Sequence, residues 1–272
     1  MIALTRAISP RVAECELTHR DREPIDVSRA ERQHAAYEAL LRELGCSVHR
    51  LPDAPDHPDG VFVEDTAVVL DEVAVVMRPG AESRRGETAA IASVLAAWRP
   101  IVHIEAPGTL DGGDVLRVGH QVFVGTSGRS NAEGISQLKR HLAPHGYQVT
   151  AVAVRDCLHL KSAVTEVEDG LLLLNPSWVD ASAFPGVDSL PVHPSEPDAA
   201  NTLRVGNVVI HGATGGRTRR RLEAIGLRVR PVEADELAKA EAGVSCCSVL
   251  VTAIPGHGFH SPYPIPQSPL VS

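Results

Sequence analysis

Asp114-Val115-Leu116-Arg117-Val118-Gly119-His120-Gln121-Val122-Phe123-Val124 is the stretch that decides the fold. An apolar strand, a tight Gly-His turn and a second apolar strand make a hairpin, and a carboxylate stands at its start. The layout recurs. Asp65-Thr66-Ala67-Val68-Val69 turns at Asp71-Glu72 into Val73-Ala74-Val75-Val76, and Ser162-Ala163-Val164-Thr165 turns at Asp169-Gly170 into Leu171-Leu172-Leu173-Leu174. Asn201-Thr202-Leu203-Arg204-Val205 turns at Gly206-Asn207 into Val208-Val209-Ile210, and a fifth copy begins at Cys246-Cys247-Ser248-Val249-Leu250. That fifth strand meets Pro255 instead of a partner, while an orphan strand, Ile2-Ala3-Leu4-Thr5, opens the chain. The two ends are expected to complete one repeat together.

Helical segments separate the hairpins. Ser28-Arg29-Ala30-Glu31 matches a capping box, Ala30, Tyr37, Leu41 and Leu44 share one face, and Gly45 supplies a stop. Further helices are expected over 84–98, 131–142 and 217–225, and each of the four helices is followed by a short strand, near residues 46–48, 101–104, 147–149 and 227–229 respectively. Two strands, a helix and a strand, repeated about five times with the termini joined, imply a ring.

In a ring, equivalent positions meet at the axis. The residues leading into the first strands are Asp65, Asp114, Ser162, Asn201 and Cys246, and three residues earlier stand Phe62, Asp111, His159, Asp198 and Gly243. The repeat therefore draws Cys246, His159, Asp111 and Asp65 towards one place. Adjacent cysteines bridge poorly, because a disulfide needs Cα atoms roughly 5.5–6 Å apart and a trans peptide holds them at about 3.8 Å. Cys246, at the axial position, is read as a reactive thiol and Cys247, facing the other way, as packing.

Each residue also has a plainer reading. A free cysteine is commonly an inert buried thiol, and a histidine between Leu158 and Leu160 is commonly a core residue bonded to backbone. Asp111-Gly112-Gly113-Asp114 could serve only as a turn. Glu64 and Asp65 put two carboxylates beside an apolar strand, a costly arrangement unless a cation joins them, and a guanidinium or ammonium ligand would supply it. Zinc is disfavoured, since no C-x-x-C pair exists and Cys157-Leu158-His159 is a weak signal.

At 272 residues and 43% hydrophobic content the chain can bury a sizeable core, built of Val, Leu, Ile and Ala because aromatics are only 3%. A net charge of −8 argues against a nucleic-acid partner. Arg217, Arg219, Arg220 and Arg221 form the one basic knot and read as a solvated helix face. Five cysteines, and an opening Met1-Ile2-Ala3-Leu4-Thr5-Arg6 without a signal-peptide core, point to a reduced, cytoplasmic protein. No run approaches the ~20 apolar residues that span a bilayer. Residues 1–254 are read as a single catalytic domain and the Pro-rich residues 255–272 as a flexible tail.

The motifs Phe62-Val63-Glu64-Asp65, Leu110-Asp111-Gly112-Gly113-Asp114, Leu158-His159-Leu160-Lys161-Ser162 and Cys246-Cys247-Ser248-Val249-Leu250 resemble those of the dimethylarginine dimethylaminohydrolases. The resemblance extends to residues 29–34, to Arg78-Pro79-Gly80-Ala81 with Ser83-Arg84-Arg85, and to Phe123-Val124-Gly125 with Arg129 and Asn131. It implies a five-bladed α/β propeller of ββαβ units, the pentein fold, in agreement with the repeat. It also implies hydrolysis of methylated arginine to citrulline, with Cys246 as nucleophile, His159 as general acid and base and Asp111 orienting the histidine. Glu64 and Asp65 would hold the guanidinium beside Phe62, Arg84 and Arg129 the α-carboxylate, and Asp59 and the Leu17 carbonyl the α-ammonium. Such chemistry needs no metal or organic cofactor, and the partner is a small free amino acid. The segment 240–245 departs from the family pattern, so Gly243 receives no ligand role. An arginine deiminase of the same superfamily and a non-catalytic arginine sensor stay open as alternatives, as does an oligomer, and residues 13–24 are the candidate lid.

Overall fold

The computed structural model describes residues 1–252. The tail expected over 255–272 lies outside them. Strand β1 (Ile2–Thr5) is followed by α1 (Val27–Glu43) and β2 (Ser47–Arg50). The second repeat runs β3 (Ala67–Val69), β4 (Ala74–Val76), α2 (Thr88–Leu95), β5 (Ile101–His103), and the third runs β6 (Val115–Val118), β7 (Gln121–Gly125), α3 (Ala132–Leu142), β8 (Gln148–Val152). One helical turn, α4 (Leu160–Ala163), leads into β9 (Val164–Glu168), β10 (Leu171–Leu174) and β11 (Asp188–Pro191). The last full repeat is β12 (Thr202–Val205), β13 (Val208–Gly212), α5 (Gly216–Ala224), β14 (Arg228–Val232), after which α6 (Asp235–Ala238) leads towards β15 (Val249–Val251).

These strands form five three-stranded sheets. In each, an antiparallel pair carries a parallel third strand on its second member, as in Leu116↔Phe123 and Val122↔Val149. The termini share a sheet as expected: β15 pairs antiparallel with β1, Ile2↔Val251, and β2 parallel with β1, Ile2↔Ser47. The architecture is the five-bladed α/β propeller.

Apolar side chains fill the wedges between blades. Leu138 and Leu142 of α3 are fully buried with Leu110, Val115, Val122 and Val124, and such burial contributes about 2 kcal/mol per leucine. Phe123 meets Phe184 edge-to-face at 4.9 Å across the next wedge.

Three local expectations are corrected. Helix α1 is capped by Asp26, whose side chain accepts from Arg29 N at 2.9 Å, and not by Ser28. The segment expected as one helix over 84–98 opens as a 3-10 stretch, Glu82–Glu87, where Gly86 weakens the α-helix and Arg84 turns inward. The fourth blade has only a 3-10 turn, Ala181–Ala183, between its inner strands and β11, an edge strand absent from the pattern reading. Asp188-Ser189-Leu190-Pro191 is mostly exposed and carries a proline, which an edge tolerates.

Candidate active site

Every first strand is preceded by a single helical turn: Val63–Thr66, Gly112–Asp114, Leu160–Ala163, Pro197–Ala200 and Ser245–Cys247. The turns pack on one another around the axis. Their close approach explains Gly112-Gly113. A Cβ at Gly112 would lie inside contact distance of the Glu64 carbonyl, and one at Gly113 would stand 2.5 Å from His159 Nδ1 and 2.7 Å from Asp65 Oδ1.

Asp111 is buried just before its turn. Its Oδ1 accepts from Gly80 N at 2.8 Å and its Oδ2 faces His159 Nε2 at 3.1 Å. The other imidazole nitrogen lies 3.7 Å from Asp65 Oδ1. Burial opposes charge on His159, but Asp65, Asp111 and Asp114 outweigh it and raise the imidazole to about 9. His159 is therefore a cation at neutral pH. Asp65, Asp111 and His159 bring ligand-type atoms within 4.8 Å of one another, yet the imidazolium is itself the positive charge that the two carboxylates surround.

Asp65 is buried, and its desolvation is overcome by His159 and by Arg84 Nη1 at 2.6 Å, so its carboxyl drops to about 2. Glu64 accepts from Lys161 Nζ at 2.6 Å and Ser245 Oγ at 2.7 Å. Cys246 is partly exposed, its sulfur receiving Gly243 N–H at 3.4 Å, whereas Cys247 is buried in an apolar cluster with Tyr37 and Leu41. Burial, then Glu64 and Asp65, push the Cys246 thiol well above its usual value. Without a cation beside it, this thiol stays protonated.

Asp59 is buried and accepts from Glu16 N at 3.1 Å; burial raises it to about 6. Arg129 reaches Thr18 Oγ1 at 3.1 Å, in the segment that carries the partly buried Leu17. Phe62 is buried, and its carbonyl accepts from Arg84 at 3.1 Å. Arg84 is the exception among the expected ligand contacts. Its guanidinium is 4% exposed and committed to Asp65, Glu87 and the Asp59 and Phe62 carbonyls, which makes it an internal counter-ion. Lys161, Asn201, Ser245 and Glu87 join the site, although the sequence reading assigned them no role in it. Lys161 and Ser245 stand within two residues of His159 and Cys246, and Asn201 holds the axial slot of its repeat, which was the available signal.

A model of the family described as "N,N dimethylarginine dimethylhydrolase, eukaryotic" matches residues 14–167. The N(G),N(G)-dimethylarginine dimethylaminohydrolase of Streptomyces coelicolor is 42% identical over 91% of this chain and 95% of its own. The chain belongs to the dimethylarginine dimethylaminohydrolase family. A second family member, from Pseudomonas aeruginosa, is 37% identical over 82% of this chain and 89% of its own. A solved Pseudomonas aeruginosa structure, a cysteine-to-serine variant complexed with citrulline, superposes with a TM-score of 0.86 at 34% identity, over 91% of this chain and 97% of that one.

Proposed function

We propose that the protein hydrolyses free N-ω-methylated arginine, asymmetric dimethylarginine or monomethylarginine, to citrulline and dimethylamine or methylamine, with residues 1–254 acting as one catalytic domain. The observation that carries this reading is the pairing of a cationic His159, clamped by Asp111 at 3.1 Å and Asp65 at 3.7 Å, with a thiol that burial and then two carboxylates keep neutral. A guanidinium bound against Glu64 and Asp65 removes the electrostatic opposition to a thiolate, so the substrate assists the ionisation of Cys246, whose proton passes to solvent because His159 already carries one.

The thiolate attacks the guanidinium carbon to give a tetrahedral adduct. His159 gives its proton to the departing dialkylamine, the C–N bond breaks, and an S-alkylthiouronium remains. Neutral His159 then takes a proton from water, whose oxygen attacks the same carbon. Collapse breaks the C–S bond, releasing citrulline and the thiol. Arg129 supplies a guanidinium for the α-carboxylate, and Asp59, a desolvated carboxyl near neutrality, gains a counter-charge from an α-ammonium.

The deiminase alternative is not favoured, because the relatives matched along most of the chain bear the dimethylaminohydrolase name. No described helix is long and apolar enough to cross a membrane, and a reduced cytoplasmic setting suits a catalytic thiol. The test is release of citrulline and dimethylamine from asymmetric dimethylarginine, with arginine in parallel and Cys246→Ser as control. Cysteine-dependent dimethylamine release supports the reading. Preferential turnover of arginine moves the protein to the deiminases, and binding without turnover makes it a sensor.

A further inference from the structure

Both oxygens of Glu64 are held, and both donors neighbour the reacting pair in sequence. Lys161 lies two residues after His159, and Ser245 one before Cys246. Asn201 joins the two donors. Its Nδ2 donates to the Lys161 carbonyl at 3.0 Å and to Ser245 Oγ at 2.9 Å, and its Oδ1 accepts from Ser245 N at 3.0 Å. Gly243 packs so closely on Asn201 that a Cβ there would overlap the amide. Glu64, Lys161, Asn201 and Ser245 thus bind four repeats into one network at the axis.

The network also sets the charge near the sulfur. Glu64 and Asp65 face Cys246 from one turn, Cys247 from its own turn and Tyr37 from α1, and His159 and Lys161 lie against the two carboxylates. Asp65 has Arg84 and His159 as cations. The ion pair of Glu64 among the described residues is with Lys161, whose side chain is 15% exposed.

We propose that Lys161 is a positioning residue for the hydrolysis: its ammonium fixes the Glu64 carboxylate on the axis and offsets that charge beside Cys246. The inference rests on Cys246 being the nucleophile. Lys161 acts through Glu64, so removing either charge should have opposite consequences at the sulfur, and removing both should nearly cancel.

The experiment follows alkylation of Cys246 by iodoacetamide in the full chain across pH 6–10 (roughly the range in which thiols titrate), with the modified peptide read by mass spectrometry. Below the pKa of the thiol its rate tracks the thiolate fraction, so a shift of about one unit is about tenfold in rate. Lys161→Met should react about tenfold more slowly and lose kcat more than KM, while Lys161→Arg stays within about threefold of the parent. Glu64→Gln should react faster than the parent, and Lys161→Met combined with Glu64→Gln should recover the parental rate. An unchanged rate in Lys161→Met, or a slow double variant, overturns the proposal. Should Lys161→Met fail to fold, Glu64→Gln alone decides, and no acceleration overturns it. Failure of the unmodified protein to turn over methylated arginine would sink the hydrolase reading and leave this alkylation series intact.

Discussion

Asp65 and Asp114 occupy the same position in consecutive repeats, and both are buried, yet their carboxyls are driven in opposite directions. Asp65 faces Arg84 and His159 and is held ionised. Asp114 meets the Ser127 and Ser130 hydroxyls and Leu160 N–H, and burial outweighs the pull of His159 and of these donors, so its carboxyl is raised. A repeat can thus bring one residue type to one backbone slot and still give it two tasks. Asp65 delivers charge to the axis, and Asp114 clasps three segments together.

Exchanging each for its amide breaks the comparison most severely. Asp65→Asn removes one of the two carboxylates that form ion pairs with buried Arg84 among the described residues and strips His159 of a counter-charge; methylarginine turnover should fall by about 10²–10³-fold, and stability by about 3 kcal/mol. Asp114→Asn loses hydrogen-bonding capacity worth about 1 kcal/mol per bond and no ion pair, so most of the turnover should survive. Equal losses in both variants would show that the two carboxylates share one task.

Acid titration sharpens the contrast, because the signs differ. The folded pKa of Asp65, about 2, lies below its unfolded value of about 3.9, so the stability it contributes is full above that value and is lost as pH falls towards about 2. Asp114 has a raised pKa, so its contribution is full below the unfolded value and lost as pH rises through the folded one. Urea midpoints from pH 2 to 7 should therefore show a shallower acid loss in Asp65→Asn and a smaller decline towards neutrality in Asp114→Asn. His34, buried and lowered to about 4, adds a loss between about pH 6.5 and 4 that all three proteins share.

The glycines give a smaller, purely steric version of the same contrast. Gly113→Ala forces a Cβ into His159 and Asp65 and should cost about 3 kcal/mol with loss of turnover. Gly119 turns a hairpin at φ +57 with open space around it, so Gly119→Ala should cost only about 1 kcal/mol and leave turnover unchanged. Thermal melts alongside the citrulline assay separate the two.

The hairpins were legible because apolar runs flank turns such as Gly119-His120, and the position of Asp65, Asp111, His159 and Cys246 followed from superimposing repeats. Local period encodes such facts. It does not encode partners across the axis. Nothing in Ser83-Arg84-Arg85 says that Arg84 turns inward to Asp65 and Glu87, since a buried ion pair looks in sequence like two surface charges. Likewise β11 escaped because a polar, proline-bearing edge strand lacks alternation, and the Asn201 link to Lys161 and Ser245 is visible only once the ring is closed.

A third carboxylate, at the rim, extends the comparison to the weakest effect. Among the described residues Glu241 forms no ion pair; it accepts the consecutive backbone N–H groups of Thr18 (3.0 Å), His19 and Arg20 (2.6 Å), in the segment expected to act as a lid, from a backbone at φ +58. Arg20 to Asp198 at 2.6 Å and Arg129 to Thr18 add further ties. Glu241→Gly removes the side chain and also relieves a left-handed conformation that costs a non-glycine residue about 1 kcal/mol, so overall stability should stay near the parent while the lid loosens. Trypsin cleavage after Arg20 or Arg22 should accelerate about tenfold, as expected when roughly 1.4 kcal/mol of local closure is lost, with KM rising more than kcat falls. Unchanged cleavage would place the hold on Asp198 and Arg129 instead, and Asp198→Asn would then be the variant that opens the segment.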